Sequence, residues 1–131
     1  MYYIFTQKHE NMIEFSNLIK VSLLGNLKGD FQFVADSFTF EPSPTEENGG
    51  TYWDCTKTFV IDKPEDDDLN KFKIPRSAIV TLSNLYRGCT EPVPKVYRIG
   101  TDEVPARVQI TQHLNKASLI VRCKMLSDPL A

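Results

Sequence analysis

Residues 104–126 read VPARVQITQHLNKASLIVRCKML, and their pattern decides the fold class. Apolar side chains fall on Val104, Ala106, Val108 and Ile110, then on Ala117, Leu119, Val121, Cys123 and Met125. Pro105, Arg107, Gln109 and Thr111 fill the gaps of the first run, and Ser118, Arg122 and Lys124 most of those of the second. A period of two belongs to a strand with one face buried, since successive side chains point to opposite sides. Asn115-Lys116 lies between the two runs, and Asn tolerates the positive φ that a two-residue hairpin requires. This stretch therefore predicts a strand pair with a polar outer face and an apolar face that needs a covering layer.

The same alternation recurs upstream. Phe31 and Phe33 share one parity and Phe38 and Phe40 the other, so a bulge or bend is expected near residues 35–37. Pro42 and Pro44 are expected to end that strand. SPTEENGG (43–50) reads as a loop with turn chemistry at Asn48-Gly49-Gly50. Trp53, Cys55, Phe59 and Ile61 then alternate with polar residues, so residues 31–62 are expected to form one long hairpin. Residues 12–24 fit a helical stripe (Met12, Phe15, Leu18, Ile19) or a strand, and the β-branched residues before Gly25-Asn26 favour a strand over 17–24. KPEDDDLNKFKIP (63–75) reads as a polar connection, RSAIVTLSNL as a strand, Val96 to Ile99 as a short strand, and Gly100-Thr101-Asp102 as a tight turn into the final pair. The expectation is all-β: a single-domain antiparallel β-sandwich or partly closed barrel of about seven strands spanning 1–131, with residues 1–11 as an arm. Its expected core is Phe33, Phe38, Phe40, Trp53, Phe59, Ile61, Val80, Leu82, Val108, Ile110, Leu119 and Val121.

Composition agrees with a folded domain. The chain has 131 residues, 41% hydrophobic and 24% charged. No apolar run has the length of a membrane span, and MYYIFTQKHE lacks the layout of a signal peptide. The expected location is a virion or the cytoplasm of a host cell, without secretion or membrane insertion. Net charge is only −2, but it is unevenly placed. Residues 30–68 hold eleven acids and two bases, net −9, whereas residues 69–131 hold ten bases and four acids, net +6. Either strands of the two halves interleave and the charges mix, or an acidic and a basic face favour head-to-tail association of identical copies.

Candidates for chemistry are few. Glu65-Asp66-Asp67-Asp68 could offer oxygen ligands to Mg²⁺ or Ca²⁺, but it lacks the alternation and glycine of a calcium loop, so a solvated loop is the expectation. Cys55, Cys89 and Cys123 form no C-x-x-C pair; Cys55 and Cys123 are in phase with apolar neighbours and read as small buried hydrophobes. His113 with Asp102 or Glu103 and Cys89 would be a nucleophile-and-base set without any hydrolase spacing. No phosphate loop or dinucleotide fingerprint occurs. The expectation is no enzyme, no cofactor and no metal site. A basic half (Lys71, Lys73, Arg76, Arg87, Lys95, Arg98, Arg107, Arg122, Lys124) with Phe72, Tyr86 and Tyr97 among it is the ground for a single-stranded nucleic-acid-binding barrel.

The segment FQFVADSFTFEPSPTEENGGTYWDCTKTFVID (31–62) resembles the long hairpins of phage tail, neck and baseplate proteins, which build rings from small β-sandwiches. The resemblance covers about a quarter of the chain and rests on shape. It implies a non-enzymatic structural subunit whose partners are other protein subunits, through self-association into a ring or docking in a larger assembly. Nucleic acid is the alternative partner. The expected contact residues are Tyr2, Tyr3 and Phe5 of the arm, Glu46 and Glu47 of the acidic loop, and Arg107, Arg122 and Lys124 of the basic face.

Overall fold

The computed structural model describes residues 15–25, 29–84 and 95–130. The expected arm 1–11 lies outside them. The described chain is all-β with one short helix. In order it forms β1 (Leu18–Leu23), β2 (Gly29–Val34), β3 (Ser43–Glu47), β4 (Gly50–Asp54), β5 (Lys57–Asp62), α1 (Asp66–Lys71), β6 (Arg76–Ser83), β7 (Val96–Ile99), β8 (Ala106–Gln112), β9 (Lys116–Arg122) and β10 (Lys124–Met125). A seven-stranded antiparallel sheet has the order β2-β1-β6-β8-β9-β5, with β7 also on β6. A three-stranded sheet has the order β10-β4-β3.

The closing pair forms as the alternation requires. β8 and β9 pair from Arg107–Arg122 to Gln112–Ala117, with Ala106, Val108, Ile110, Ala117, Leu119 and Val121 buried. Cys123 and Met125 continue the buried series, while Val104 is exposed. The turn is closed by the His113 N–H bonding the Lys116 carbonyl at 2.8 Å. Asn115 does not use a positive φ; among the described residues Asn48, at 52°, is the non-glycine residue that does.

β4–β5 and β9–β10 run against each other in a single register, from Trp53 opposite Met125 to Asp62 opposite Lys116. Between the named strands Cys55 faces Cys123, and the Cys55 N–H bonds the Cys123 carbonyl at 2.9 Å. The two sheets are thus continuous along this pair.

Residues 31–62 are not one long hairpin. β2 leaves to pair with β1, and only β3 and β4 form a hairpin, turned at Asn48 (φ 52°) and Gly49 (φ 79°). Two positive φ values are what a two-residue turn needs to match strand twist. Pro44 does not end a strand but sits inside β3. With the Glu47–Gly50 pair closing the turn, alternation directs the backbone of residue 44 away from β4, so the missing N–H breaks no ladder bond.

The expected bend at 35–37 has a topological meaning. The Ala35 N–H still bonds Asn17 on the β1 side at 2.7 Å, while the Asp36 N–H bonds Val60 of β5 at 2.8 Å. Ala35 and Ile61 form an isolated bridge. The chain passes there from one edge of the main sheet to the other, curling the sheet toward closure without completing a barrel. Lys116 spans this seam, donating to Asp62 at 2.6 Å and Asp36 at 3.0 Å. Those two bonds, Asp62 first, hold its ammonium above the ordinary lysine range.

The connection 63–75 holds helix α1, which the acidic run concealed. Glu65 is its N-cap, three aspartates occupy its first turn and Lys71 its last, an arrangement that matches the helix dipole. Six residues cannot hold a helix alone. Burial of Leu69 and Phe72 fixes it, with the Phe72 ring edge-on to Phe31 (5.2 Å) and Phe33 (5.8 Å). The Phe72 carbonyl accepts the Ile110 N–H at 2.9 Å, so this segment runs alongside β8 before β6 begins. A second aromatic group centres on Phe38, 4.8 Å from Phe59 and 5.3 Å from Phe15. Of the expected core, Phe38 and Trp53 are only partly buried and the rest are buried.

Gly100 does not turn the chain back. β7 pairs with the second half of β6 and β8 with its first half, both antiparallel, so residues 100–105 are an excursion opposite Ile79. The excursion is closed by Thr101 N–H to Val104 carbonyl and Val104 N–H to Thr101 hydroxyl, both 2.9 Å. The Gly100 N–H donates to the Met125 sulfur at 3.4 Å. Gly100 has φ 95°, and a Cβ there would lie 2.7 Å from the Ala106 nitrogen. Gly100→Ala is therefore expected to cost at least about 1 kcal/mol, read as a lower denaturant midpoint with unchanged slope.

Candidate interaction surfaces

Outward-facing side chains follow directly from register. Arg107 and Arg122 are cross-strand partners, like charges set directly opposite. Arg107 relieves this by leaning toward β6, where it donates to the Ser77 hydroxyl (3.0 Å) and the Pro75 carbonyl (3.2 Å). Arg122 makes no ion pair among the described residues. Lys124 is engaged within the chain, 3.9 Å from Glu47 and 4.8 Å above the Tyr52 ring. The structure thus brings Arg107 and Arg122 together, while Lys124 belongs to the rim of the acidic hairpin. Tyr2, Tyr3 and Phe5 lie outside the described residues.

The halves of opposite charge partly mix. Lys116 joins Asp36 and Asp62 across the seam, and Lys20 lies 3.4 Å from Asp30. The Ser22 hydroxyl and then Lys20 hold the Asp30 carboxyl below the usual carboxylate range. Glu46 stays exposed on β3 without an ion pair among the described residues, and Arg98 on β7 does likewise.

Among the strand edges left unpaired in the described residues, those of β3 and β7 carry opposite charge, and sequence reasoning missed both. On β3, Pro44 and Glu46 direct their backbone groups outward. On β7, the Asn84 N–H bonds the Lys95 carbonyl at 3.0 Å, which makes 84–95, 82–97 and 80–99 the hydrogen-bonded pairs. Val96 and Arg98 therefore present N–H and C=O groups to the free side. Alongside lies a groove of about 760 Å³ on the outer face of β1, β6 and β7, lined by Leu18, Lys20, Ile79, Thr81, Val96 and Arg98.

The other candidates disperse. Asp102 and Glu103 sit in the excursion before β8 and His113 beyond its far end, on the order of 20 Å apart for a strand of this length. His113 instead contacts the Ser118 hydroxyl at 2.7 Å. Phe72 and Tyr97 are buried and present no stacking surface; Tyr86, Arg87 and Cys89 lie outside the described residues. Asp66, Asp67 and Asp68 are the first turn of α1. Among the described residues no helix is long and apolar enough to cross a membrane.

Cys55 and Cys123 are free and buried. Burial, then the charge of Cys123 and the nearby Asp54 and Asp128, pushes the Cys55 thiol up to about 12; burial, then Asp54, raises Cys123. A raised thiol stays protonated well above neutral pH and is a poor nucleophile. In a Cys89→Ser background, both thiols are expected to resist a disulfide reagent at pH 8 and to react once denaturant unfolds the chain. Rapid labelling of the folded protein would contradict their burial. No protein-family model, no curated protein and no solved structure matches the chain.

Proposed function

We propose that this chain is a non-enzymatic structural subunit that works by packing against other subunits, with a virion tail, neck or baseplate as the assembly its shape fits. The observation that carries this reading is the pair of open strand edges of opposite character. The β3 edge is acidic through Glu46 and Glu47, and the β7 edge is basic through Lys95 and Arg98. Unpaired edges template strand addition. Edges of opposite charge on one molecule favour heterologous contacts between copies, which build rings or filaments rather than closed two-fold pairs. Exposed Leu18, Val34 and Val96, with half-buried Ile79, add apolar surface on the outer sheet for such a contact.

A second reading, single-stranded nucleic-acid binding, draws on the Arg107–Arg122 juxtaposition. It loses Phe72 and Tyr97 as stacking platforms, because both rings are buried.

Sedimentation velocity over a concentration series tests the first reading. Association that grows with concentration and weakens with added salt is expected, because ions screen exposed charge pairs. A monomer at every concentration and ionic strength would contradict self-association.

A further inference from the structure

We infer that the β3 edge of one copy adds as an antiparallel strand to the β7 edge of the next, a contact that rests on the subunit reading above. The register follows from which backbone groups are free. On β7 these are the N–H and C=O of Val96 and Arg98. On β3 they are the N–H and C=O of Glu46 and the C=O of Pro44, which has no N–H.

Setting Val96 opposite Glu46 of the second copy pairs nearly all of them. Val96 and that Glu46 exchange both backbone hydrogen bonds, and the Arg98 N–H donates to the carbonyl of the second copy's Pro44. Only the Arg98 carbonyl lacks a donor, and it remains at the solvent-exposed rim. The same register sets Lys95 opposite Glu47 on one face and Arg98 diagonal to Glu46 on the other, so each cation meets one carboxylate. Cross-strand neighbours and diagonals are the positions where side chains on a sheet interact. The Pro44 and Glu46 side chains then lie on the outer face, beside the groove that Val96 and Arg98 line.

Charge and chemistry disfavour the two symmetric pairings. β7 on β7 would gather Lys95 and Arg98 of both copies, and β3 on β3 would gather Glu46 and Glu47 around two prolines. Opposed like charges and edge prolines are the features that keep strands apart. The contact is therefore head-to-tail, with each copy offering one edge of each kind.

Complementation between two blocked variants tests this. Glu46→Lys with Glu47→Lys spoils the β3 edge and leaves β7 intact. Val96→Pro removes an outward N–H from β7 and leaves β3 intact; Lys95→Glu with Arg98→Glu serves as the second β7 variant should proline disturb folding. Each variant alone is expected to sediment as a monomer of 15.0 kDa. A mixture of the β3 variant and the Val96→Pro variant is expected to give a one-to-one species of twice that mass and nothing larger, because both outer ends are then blocked. With the charge-reversed β7 variant, mixing restores the full assembly instead. Monomeric variants whose mixtures stay monomeric overturn the inference. So does assembly of the β3 or β7 variants at wild-type strength, a result that leaves the subunit reading standing on another surface. A wild-type chain that never associates overturns both.

Discussion

The structure hangs on one constraint: the single antiparallel register in which residues 53–62 lie against residues 116–125. It makes two sheets one continuous surface. Its middle brings Cys55 against Cys123 in the core, where burial keeps both thiols protonated. One end delivers Lys116 to the seam between β5 and the end of β2. The other end delivers Met125, whose sulfur accepts the Gly100 N–H and so anchors the excursion between β7 and β8. A one-residue slip of β5 would turn Phe59 and Ile61 outward, and one of β9 would turn Ala117, Leu119 and Val121 outward, so burial of both sets fixes the pairing.

The rest of the fold solves the problem of an incomplete barrel. Ala35 and Asp36 transfer the chain from the β1 side to β5, but the ladder stops after one bridge. The aromatic groups fill the interior that such a curl leaves. Phe72, set by α1, packs against Phe31 and Phe33, and Phe38 packs between Phe15 and Phe59. Curling also leaves edges. Pro44 and two glutamates disfavour pairing of β3 with its own kind, and Lys95 and Arg98 do the same for β7.

Local alternation made the closing pair, the β6 core and most buried side chains legible in the sequence. The parity switch of the four phenylalanines also located the transfer at residues 35–37. What stayed illegible depends on partners distant in sequence. Alternation marks a strand but not its neighbour, so β2 and β5 read as two arms of one hairpin although β2 belongs to β1. Pro44 reads as a stop unless the partner side is known. The acidic run hid α1, because a six-residue helix is held by burial of Leu69 and Phe72 rather than by its own propensity. For the interaction surface, Glu46 and Glu47 were readable as an acidic turn. Lys95 and Arg98 were visible only as members of a basic half, since an open edge is a property of register.

A curled sheet stapled by a continuous strand pair presents an acidic edge and a basic edge, and the proposed contact pairs the one with the other in the next copy. Residue-resolved amide exchange across a dilution series measures this most directly. If the edges pair as proposed, the Val96, Arg98 and Glu46 amides exchange freely in dilute protein and become protected together as concentration rises, while core amides such as Leu119 stay protected throughout. Equal exchange of those edge amides at every concentration, in a protein that does associate, would contradict it.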